Sequence, residues 1–568
     1  MGVEEATAGA STGITVLSYL RGLDWSSWAG HNSVLPVVAA VAAVLFVLLR
    51  SFGIKKKLKL PPGPRNWPII GALLEMDPVL HIGFERFAAR YGPVVYFRLG
   101  LQEVVLVSSA EAAEELVKTK DVDFADRTIP MNKFLRKYTG LDGALMAFRD
   151  NDAGFKLSRK VAATELFTGT KLKAFEERRG REMAVMVEKI LSQIEGNTKA
   201  TGGEQDYAVI PVRKTVTAMI TNLVFMTLIG TRYDDLPANH AYKEFNELLI
   251  EQISFVMKFN LLDFLPFLEW LDPQGMLKEL KDFDRRQQRF LGRILDGRRQ
   301  AMKLNKGKFD DNQRTSSNFV DTLLSLQDGT PDSLDDQGVA GLVLAVLMAA
   351  IHTTTAQIEW VLLLLAKHPH ELKKLQAEID EVFGKDQLPT DDDIQNMPFL
   401  KACVNETLRL HPIANTTFPH TNLSPATLAG YDIPPHTAVI LNVIHISRDP
   451  QAWKDPLAFR PDRFMEGTPD PDPALMSKPL TPAGGNFNFL PFGSGRRKCP
   501  GYSLAMVMLL RITATFVHAF DLKPPKGISA QELSDEGGAA HVHEPKTPLL
   551  LTCRPRLSPE SFHHLYNI

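Results

Sequence analysis

The sequence predicts a mainly α-helical protein with small β-sheets, preceded by a single N-terminal transmembrane helix. From about Glu111 onward, Ala, Leu, Glu and Lys dominate long stretches with helical spacing. Strand-like patterns are confined to residues 91–109 and to short segments after residue 523. A separate uncharged apolar run, Ser33–Leu49, lies near the N-terminus. Together these observations indicate a helical body tethered by one membrane segment.

Composition excludes several classes of protein. The chain has 568 residues, of which 44% are hydrophobic and 23% charged, so wholesale disorder is excluded. The formal net charge is −2, and nothing in the overall charge indicates nucleic acid as a partner. The cysteines are Cys403, Cys499 and Cys553, and none forms a C-x-x-C pair. A disulfide framework and a zinc ribbon are therefore excluded, and a reducing compartment is indicated.

The uncharged run has the flanks of a membrane anchor. Ser33–Leu49 reaches the lower end of the ~17–25 residues that span a bilayer as a helix. Arg50 and four lysines between residues 55 and 59 follow it, whereas acids precede it. Because positive residues stay cytosolic, we expect a lumenal tail (1–32), an anchor (33–50) and a cytosolic remainder. A buried core helix is the alternative interpretation.

The anchor is followed by a basic and Pro-rich hinge (51–71). Its run Leu60-Pro-Pro-Gly-Pro64 cannot continue a helix, because proline fixes φ and lacks an amide donor. No domain break is evident afterwards, so residues 72–568 are predicted to form one domain. In it, Val94, Tyr96 and Arg98 on one side and Val104–Val107 on the other flank Gly100 as a hairpin would.

A second uncharged run, Val339–Ile351, is too short to span a membrane comfortably and predicts a buried central helix. It meets His352 and then three threonines, Thr353 to Thr355. β-Branched hydroxyl residues lower helix propensity and compete for backbone carbonyls. Two interpretations stay open at this point: a polar break that supports chemistry, or a helix emerging into solvent.

Cys499 lies in a loop rich in glycine and basic residues, Phe492-Gly-Ser-Gly-Arg-Arg-Lys-Cys-Pro-Gly501. The glycines permit close backbone approach. The three preceding basic residues should lower the pKa of the thiol and favour thiolate. A thiolate presented in this way is a nucleophile or a metal ligand, and an inert buried cysteine is the plain alternative.

The loop resembles the haem-binding loop of the cytochrome P-450 monooxygenases. The matching residues are Phe492, Gly495, Arg497, Cys499 and Gly501. Three further motifs follow the family order: Glu406-x-x-Arg409, Phe459-x-Pro-Asp462-Arg463-Phe464 with Asp in place of Glu, and the central-helix segment Ala349–Thr354. The resemblance covers essentially the whole chain. Residues 263–272 and 554–558 resemble the land-plant microsomal branch, including its flavonoid-hydroxylase-like members.

The resemblance implies haem b with Cys499 as the axial iron ligand, and dioxygen as co-substrate. The roles it implies are the following. The cofactor is bound by Cys499, Phe492, Gly495, Arg497, Gly501, Lys156 and His420; oxygen and protons are handled by Thr353, His352 and Thr354; a buried structural network is formed by Glu406, Arg409 and Arg463; and the substrate pocket is lined by Ala349, Ala350, Ile413 and Phe418.

Three positions depart from the family pattern. His352 stands where the central helix usually carries an acid, and histidine can relay protons near neutral pH. Phe155-Lys156 replaces a Trp-Arg pair that normally reaches a haem propionate. His420 follows Pro419 where plant members usually have arginine. Haem binding is still expected, but these three substitutions obscure which class of substrate the site accepts.

Electrons must come from a separate protein. The chain has no G-x-G-x-x-G motif that opens a βαβ unit, and too few residues remain for a fused reductase. The family implies NADPH-dependent cytochrome P-450 reductase as the donor, with cytochrome b5 as a further candidate. Basic residues around Arg496 and Lys160 would face it. The resemblance also implies a single-pass protein of the endoplasmic reticulum membrane, with a small hydrophobic substrate and no nucleic acid.

Alternatives to an aromatic or phenylpropanoid-like substrate stay open. Amino-acid N-hydroxylases that form oximes resemble this chain in having a non-acidic central helix and a histidine at the position of His420. Other haem-thiolate proteins are isomerases or dehydratases that need no reductase. A non-catalytic haem-binding membrane protein is the last alternative, and the intact Thr353 and Thr354 argue against it.

Overall fold

A computed structural model of the chain describes residues 58–566, apart from 78, 128–132, 204, 238–240, 259, 305–317, 328, 331–332, 386, 388, 469–470, 477–484 and 539–541. The predicted lumenal tail and anchor, together with the hinge up to residue 57, lie outside the described residues.

Helices dominate the described part of the chain, as predicted. In chain order they are α1 (Leu80–Tyr91), α2 (Ala110–Glu114), α3 (Ala153–Glu165), α4 (Gly169–Ala174), α5 (Glu176–Ala200), α6 (Val212–Ile229), α7 (Phe245–Met257), α8 (Leu261–Phe264), α9 (Met276–Leu304), α10 (Phe319–Ser325), α11 (Asp336–Lys367), α12 (Pro369–Phe383), α13 (Pro398–Leu410), α14 (Val443–Ser447), α15 (Pro473–Met476), α16 (Tyr502–Ala519) and α17 (Pro559–Tyr566).

The strands form three small sheets. They are β1 (Val94–Leu99), β2 (Gln102–Val107), β3 (Ala208–Pro211), β4 (His420–Thr421), β5 (Ala426–Leu428), β6 (Tyr431–Ile433), β7 (Ala438–Leu441), β8 (Phe520–Lys523) and β9 (Leu550–Pro555). The largest sheet has the order β1-β2-β7-β4, in which β2 and β7 are parallel and the other pairs antiparallel. The second has the order β3-β9-β8, and β5 pairs with β6.

The predicted hairpin is present, with β1 and β2 in register from Val94 opposite Val107 to Leu99 opposite Gln102. Gly100 turns the chain with φ +59°, a conformation that favours glycine. A Cβ atom there would lie 2.3 Å from the carbonyl oxygen of Phe264. The turn therefore needs glycine because α8 packs directly against it.

The longest helix, α11, runs through the core and confirms the prediction of a buried central helix. It begins at Asp336 and is capped by Asp335, whose side chain accepts from the amide of Gly338. It continues without interruption past Thr353 to Lys367, and residues 354–366 are all buried. The interpretation that the helix emerges into solvent at the threonines is therefore wrong.

Three of the described helices, α6, α11 and α16, could cross a membrane by length and composition alone. In each, more than half of the apolar stretch is buried inside the protein. α11 packs against both α6 and α16. Their apolar surfaces thus form the core around which the other helices are arranged.

A buried ionic network connects α13 to the segment that precedes the cysteine loop. Arg409 donates twice to the Glu406 carboxylate, with N–O distances of 2.7 and 2.8 Å. Arg463 donates to the same carboxylate at 3.0 Å and also pairs with Asp472. The structure thus brings together the three residues expected in this network and adds Asp472, which the sequence analysis missed.

Candidate active site

The cysteine loop is pressed against a π-helical turn at Glu115–Thr119, which follows α2. Gly495 has φ +67°, and a Cβ atom there would lie 2.0 Å from the carbonyl oxygen of Val117. The loop then turns back on itself, since the amide of Cys499 donates to the carbonyl of Phe492 at 2.9 Å. α16 begins three residues later, so the thiol is presented at the start of a core helix.

Burial raises the pKa of the Cys499 thiol, although the amide of Gly501 and the charges of Arg159 and Lys498 lower it. Of the three basic residues that precede the thiol, Lys498 lowers its pKa as expected, but burial outweighs this effect in the protein alone. Arg496 pairs with Asp121 at 3.0 Å instead of facing the thiol. Since a coordinated metal ion deprotonates a thiol outright, a bound iron would hold Cys499 as the thiolate despite its burial.

Arg497 is directed to backbone carbonyls. Its guanidinium donates to Ala125 at 2.6 Å and to Arg149 at 2.7 Å. It also lies over the ring of Phe155, 3.9 Å from the centroid. Burial is the main cause that lowers the pKa of Arg497, to about 10. Phe155 thus supports Arg497 by a cation–π contact, at the position where the family pattern has tryptophan.

His420 and Arg127 lie beside Arg497. His420, in β4, is buried and its Nδ1 is 3.1 Å from the carbonyl of Phe124. Arg127 donates to the carbonyls of Phe418 and Pro419 at 2.7 and 2.6 Å. Burial and then the charge of Arg497 lower the pKa of Arg127 to about 9. Burial and then the charge of Arg127 hold the pKa of His420 well below its ordinary value. Arg127 and His420 are buried and Arg497 is half-buried, and the two guanidinium charges favour a bound anion.

Arg127 was missed by the sequence analysis, and Lys156 is placed differently from its expected role. Lys156 lies on the exposed side of α3. The residues of α3 that face the cysteine loop are the buried Phe155 and the half-buried Arg159, whose charge acts on Cys499. Phe155 and Arg159 are four residues apart and share a face of α3, whereas Lys156 is exposed, a distinction that the motif alone does not reveal.

One face of α11 is open although the helix is central. Ala349 is exposed, and Ala350 and Thr353 are half-buried, whereas Leu347 and Ile351 are buried. The Thr353 hydroxyl donates to the carbonyl of Ala349, one turn earlier. Residues i and i+4 share a helix face, so Ala349 and Thr353 border the same open space.

Thr354 lies on the other side of α11. It is buried, as is Thr355, whose hydroxyl lies 3.4 Å from that of Thr217 in α6. This position gives no support to the expectation that Thr354 shares in oxygen chemistry. Among the adjacent threonines, Thr353 is the one directed toward open space.

His352 contacts an acid that is remote in sequence. Its Nε2 lies 3.2 Å from Oε2 of Glu544, whose Oε1 lies 3.1 Å from Arg213. Arg213 also pairs with the fully buried Glu359 of α11 at 2.7 Å. Burial would raise the pKa of Glu544, but the hydrogen bond to His352 and the charge of Arg213 give a net lowering. No sequence motif indicated Glu544 or Arg213.

The two expected pocket residues that precede β4 also retain accessible surface. Ile413 is half-buried, and Phe418 is 48% exposed while its ring packs edge-to-face on Phe148 at 5.5 Å. The carbonyl of Phe418 is bound by Arg127, which lies near Arg497. Phe418 is therefore close to the basic side chains of Arg127, Arg497 and His420.

These residues fit the haem that the motifs imply. Cys499 offers sulfur at the start of α16, and soft thiolate is a known axial ligand of haem iron. The buried Arg127 and the half-buried Arg497, with His420 beside them, form a basic cluster suited to the carboxylates of a porphyrin. The open face at Ala349 and Thr353 offers small side chains where a planar cofactor and its substrate need room.

Comparison with known proteins agrees with this chemistry. The sequence model of the family described as Cytochrome P450 matches residues 61–551. A flavonoid 3'-monooxygenase from Arabidopsis thaliana is 30% identical over 530 residues, which cover 92% of this chain and 97% of the relative.

Two further relatives carry the same description. A flavonoid 3'-monooxygenase from Petunia hybrida is 31% identical over 91% of this chain and 97% of its own. One from Crocosmia x crocosmiiflora is 32% identical over 89% of this chain and 94% of its own. These relatives agree with the predicted flavonoid-hydroxylase-like branch. Because the family match covers most of the chain, the protein belongs to the cytochrome P450 family of haem monooxygenases, which use dioxygen and NADPH-derived electrons.

Proposed function

We propose that the protein is a membrane-anchored haem-thiolate monooxygenase that hydroxylates a small hydrophobic aromatic substrate. The observation that carries the proposal is the open face of α11, where Thr353 and Ala349 lie directly before the fully buried stretch of that helix. A haem carrier would have no need of a threonine hydroxyl there. When bound, the haem supplies oxygen activation and insertion of one oxygen atom, while the other atom leaves as water.

In this proposal Cys499 is the axial ligand, and Phe492, Gly495 and Gly501 shape the loop that holds it. Arg497 and His420 bind the propionates together with Arg127, which replaces Lys156 as the better candidate because it is buried. Thr353 and His352 hold protons at the open face of α11. Glu406, Arg409 and Arg463 serve the fold and not the chemistry.

The substrate class is inferred from the pocket and the relatives. Ala349 and Ala350 leave room on α11, and Ile413 and Phe418 offer an apolar wall. An exposed phenylalanine ring suits stacking on an aromatic substrate. The relatives described as flavonoid 3'-monooxygenases support a phenolic ring system.

The proposed setting is the membrane of the endoplasmic reticulum, with residues 33–50 as a single-pass anchor, 51–71 as hinge and 72–568 as the cytosolic catalytic domain. The exposed aromatic residues Phe267 and Trp270, 54% and 76% exposed, offer a surface suited to lipid contact. Arg496 and Lys160 provide basic surface for an acidic reductase, with cytochrome b5 as a second candidate partner.

The first test is the carbon monoxide difference spectrum of the dithionite-reduced full-length protein in microsomes. We expect a thiolate-type band that Cys499→Ala abolishes. Cys553→Ala is the matched control, because Cys553 is a buried cysteine in β9, outside the loop, and its replacement should leave the band intact. An imidazole-type band, or no haem in well-folded protein, would contradict the proposal.

The second test adds reductase and compares a flavonoid panel with a panel of amino acids. Oxygen uptake and hydroxylated product that depend on both NADPH and a flavonoid are the expected result. Oxime formation from an amino acid would replace the proposed substrate class. Turnover of a peroxide without reductase would indicate an isomerase or dehydratase instead.

A further inference from the structure

The central helix lacks the usual acid beside its threonine. The acids of α11, all of whose residues are described, are Asp336 at its first turn and Glu359 near its C-terminal half. Glu359 is fully buried and occupied by Arg213 and by the amide of Leu549, at 2.7 Å each. Neither acid is placed to serve Thr353, and the acid nearest to its neighbour His352 comes from another element.

Glu544 lies outside α11, in the segment that precedes β9, and its carboxylate contacts His352 of α11. One carboxylate oxygen lies 3.2 Å from Nε2 of His352 and the other 3.1 Å from Arg213. The side chains of Glu544 and His352 are 23% and 25% exposed. The pair therefore connects accessible surface with the residue adjacent to Thr353.

The backbone around Glu544 is fixed on both sides. The amide of His543 donates to the carbonyl of Ile413 at 2.8 Å, and its carbonyl accepts from the indole of Trp360 at 2.7 Å. The carbonyl of Pro545 accepts from Arg213 at 2.7 Å. Because these contacts join the segment to α11 and α6, the Glu544 carboxylate has one defined direction.

The groups facing the pair favour a carboxylate at Glu544. They are His352 and Glu359 from α11 and Arg213 from α6. Arg213 lies between the two acids and contacts both. Since the net effect lowers the pKa of Glu544, its acceptor oxygen is available to His352 at neutral pH.

We propose that Glu544 is a positioning residue that supplies, through His352, the negative charge that the central helix lacks. It orients His352 with the Nε2 proton toward Oε2 and stabilises the imidazolium. The imidazolium gives up its other proton, the one on Nδ1, beside Thr353, and water restores that proton while Glu544 stays a carboxylate. This inference rests on the proposed role of Thr353 in oxygen chemistry.

The test compares Glu544→Gln with Glu536→Gln in the full-length haem protein. Glu536 is a matched control, because it lies in the same segment, is 64% exposed and pairs with Lys546. The first readout is the infrared C–O stretch of the ferrous carbon monoxide complex, which responds to charge near the open face. Glu544→Gln should shift the C–O stretch, and Glu536→Gln should leave it unchanged.

The second readout is the fraction of NADPH electrons recovered as hydrogen peroxide in reductase-driven turnover. Outer residues that orient a ligand typically change function about 10–100-fold. We therefore expect product formed per NADPH to fall about 10-fold in Glu544→Gln, with a matching rise in peroxide. The control should behave as the wild type.

In the His352→Asp background, Glu544→Gln should change the coupling of NADPH use to product formation in the opposite direction. An acid at residue 352 would lie beside Glu544, and like charges at this distance repel. In this background Glu544→Gln should improve coupling, whereas in the wild type it impairs coupling. Equal C–O stretches for Glu544→Gln and Glu536→Gln, or the same loss in both backgrounds, would overturn the inference. The proposed function would fail separately, through loss of the thiolate-type band in the wild type.

Discussion

Two ionic networks of similar composition lie in different surroundings. The sealed network consists of Glu406, Arg409, Arg463 and Asp472, whose side chains are at most 3% exposed. The open network consists of His352, Glu544, Arg213 and Glu359, and three of its side chains are 23 to 25% exposed. Each has two acids and two bases. Their surroundings therefore decide that one holds the fold while the other can exchange protons.

The sealed network is also more completely hydrogen-bonded. Arg409 donates to the carbonyls of Ser447 and Pro456 in addition to Glu406, and its guanidinium lies 5.1 Å from the Trp453 ring centroid. In the open network, Nδ1 of His352 is buried without a hydrogen-bond partner among the described residues. A saturated network resists change, whereas one with a spare nitrogen can accept a proton.

The largest expected effect comes from breaking the sealed network. Arg409→Ala leaves the buried Glu406 carboxylate with the Arg463 guanidinium and the amide of Arg460, both of which bind Oε1. Breaking a buried pair in this way costs about 3–5 kcal/mol of folding free energy. Denaturant unfolding monitored by the haem absorbance measures the loss.

Asp462→Asn is the control for this substitution. Asp462 belongs to the same motif but is 60% exposed and pairs only with Lys374 among the described residues, at 2.9 Å. Its loss should cost less than about 1 kcal/mol. Similar values for the two variants would contradict the difference between sealed and exposed pairs.

A smaller effect is expected from Arg213→Ala in the open network. Glu359 loses its cation but keeps the amide of Leu549 as a donor. Because Arg213 is partly exposed and solvent screens it, we expect a loss of about 2 kcal/mol, below that of Arg409→Ala. Arg213→Lys should recover part of the loss. An Arg213→Ala loss as large as that of Arg409→Ala would mean that the open network is as much a part of the scaffold as the sealed one.

The same contrast explains what the sequence could predict. Glu406 and Arg409 are three residues apart on one helix, and the cysteine loop is continuous, so local spacing is sufficient for both. Asp472, Arg127 and Glu544 act on partners that the fold brings close from distant segments, and no periodicity encodes that approach. Lys156 and Thr354 belong to the right motifs, but Lys156 is exposed and Thr354 is buried in the core, and the motifs do not encode this difference.

The pH dependence of folding offers the finest test of the open network. The pKa of Glu544 lies below its ordinary value of 4.5, so the folded state binds that proton less readily than the unfolded chain. Its stabilising contribution is therefore complete above the unfolded pKa and is lost as pH falls through the folded pKa. Glu544→Gln removes this contribution, and the partly exposed pair should be worth less than about 1 kcal/mol.

The measurement is the difference in unfolding free energy between the wild type and Glu544→Gln, taken from neutral pH downward. Glu359, whose raised pKa has the opposite effect of weakening the fold as pH rises, is present in both proteins and largely cancels in the difference. We expect the wild type to be more stable at neutral pH and the two curves to converge below pH 4.5. A difference that grows on acidification would mean that Glu544 is held as the protonated acid, and the carboxylate beside His352 would then be absent.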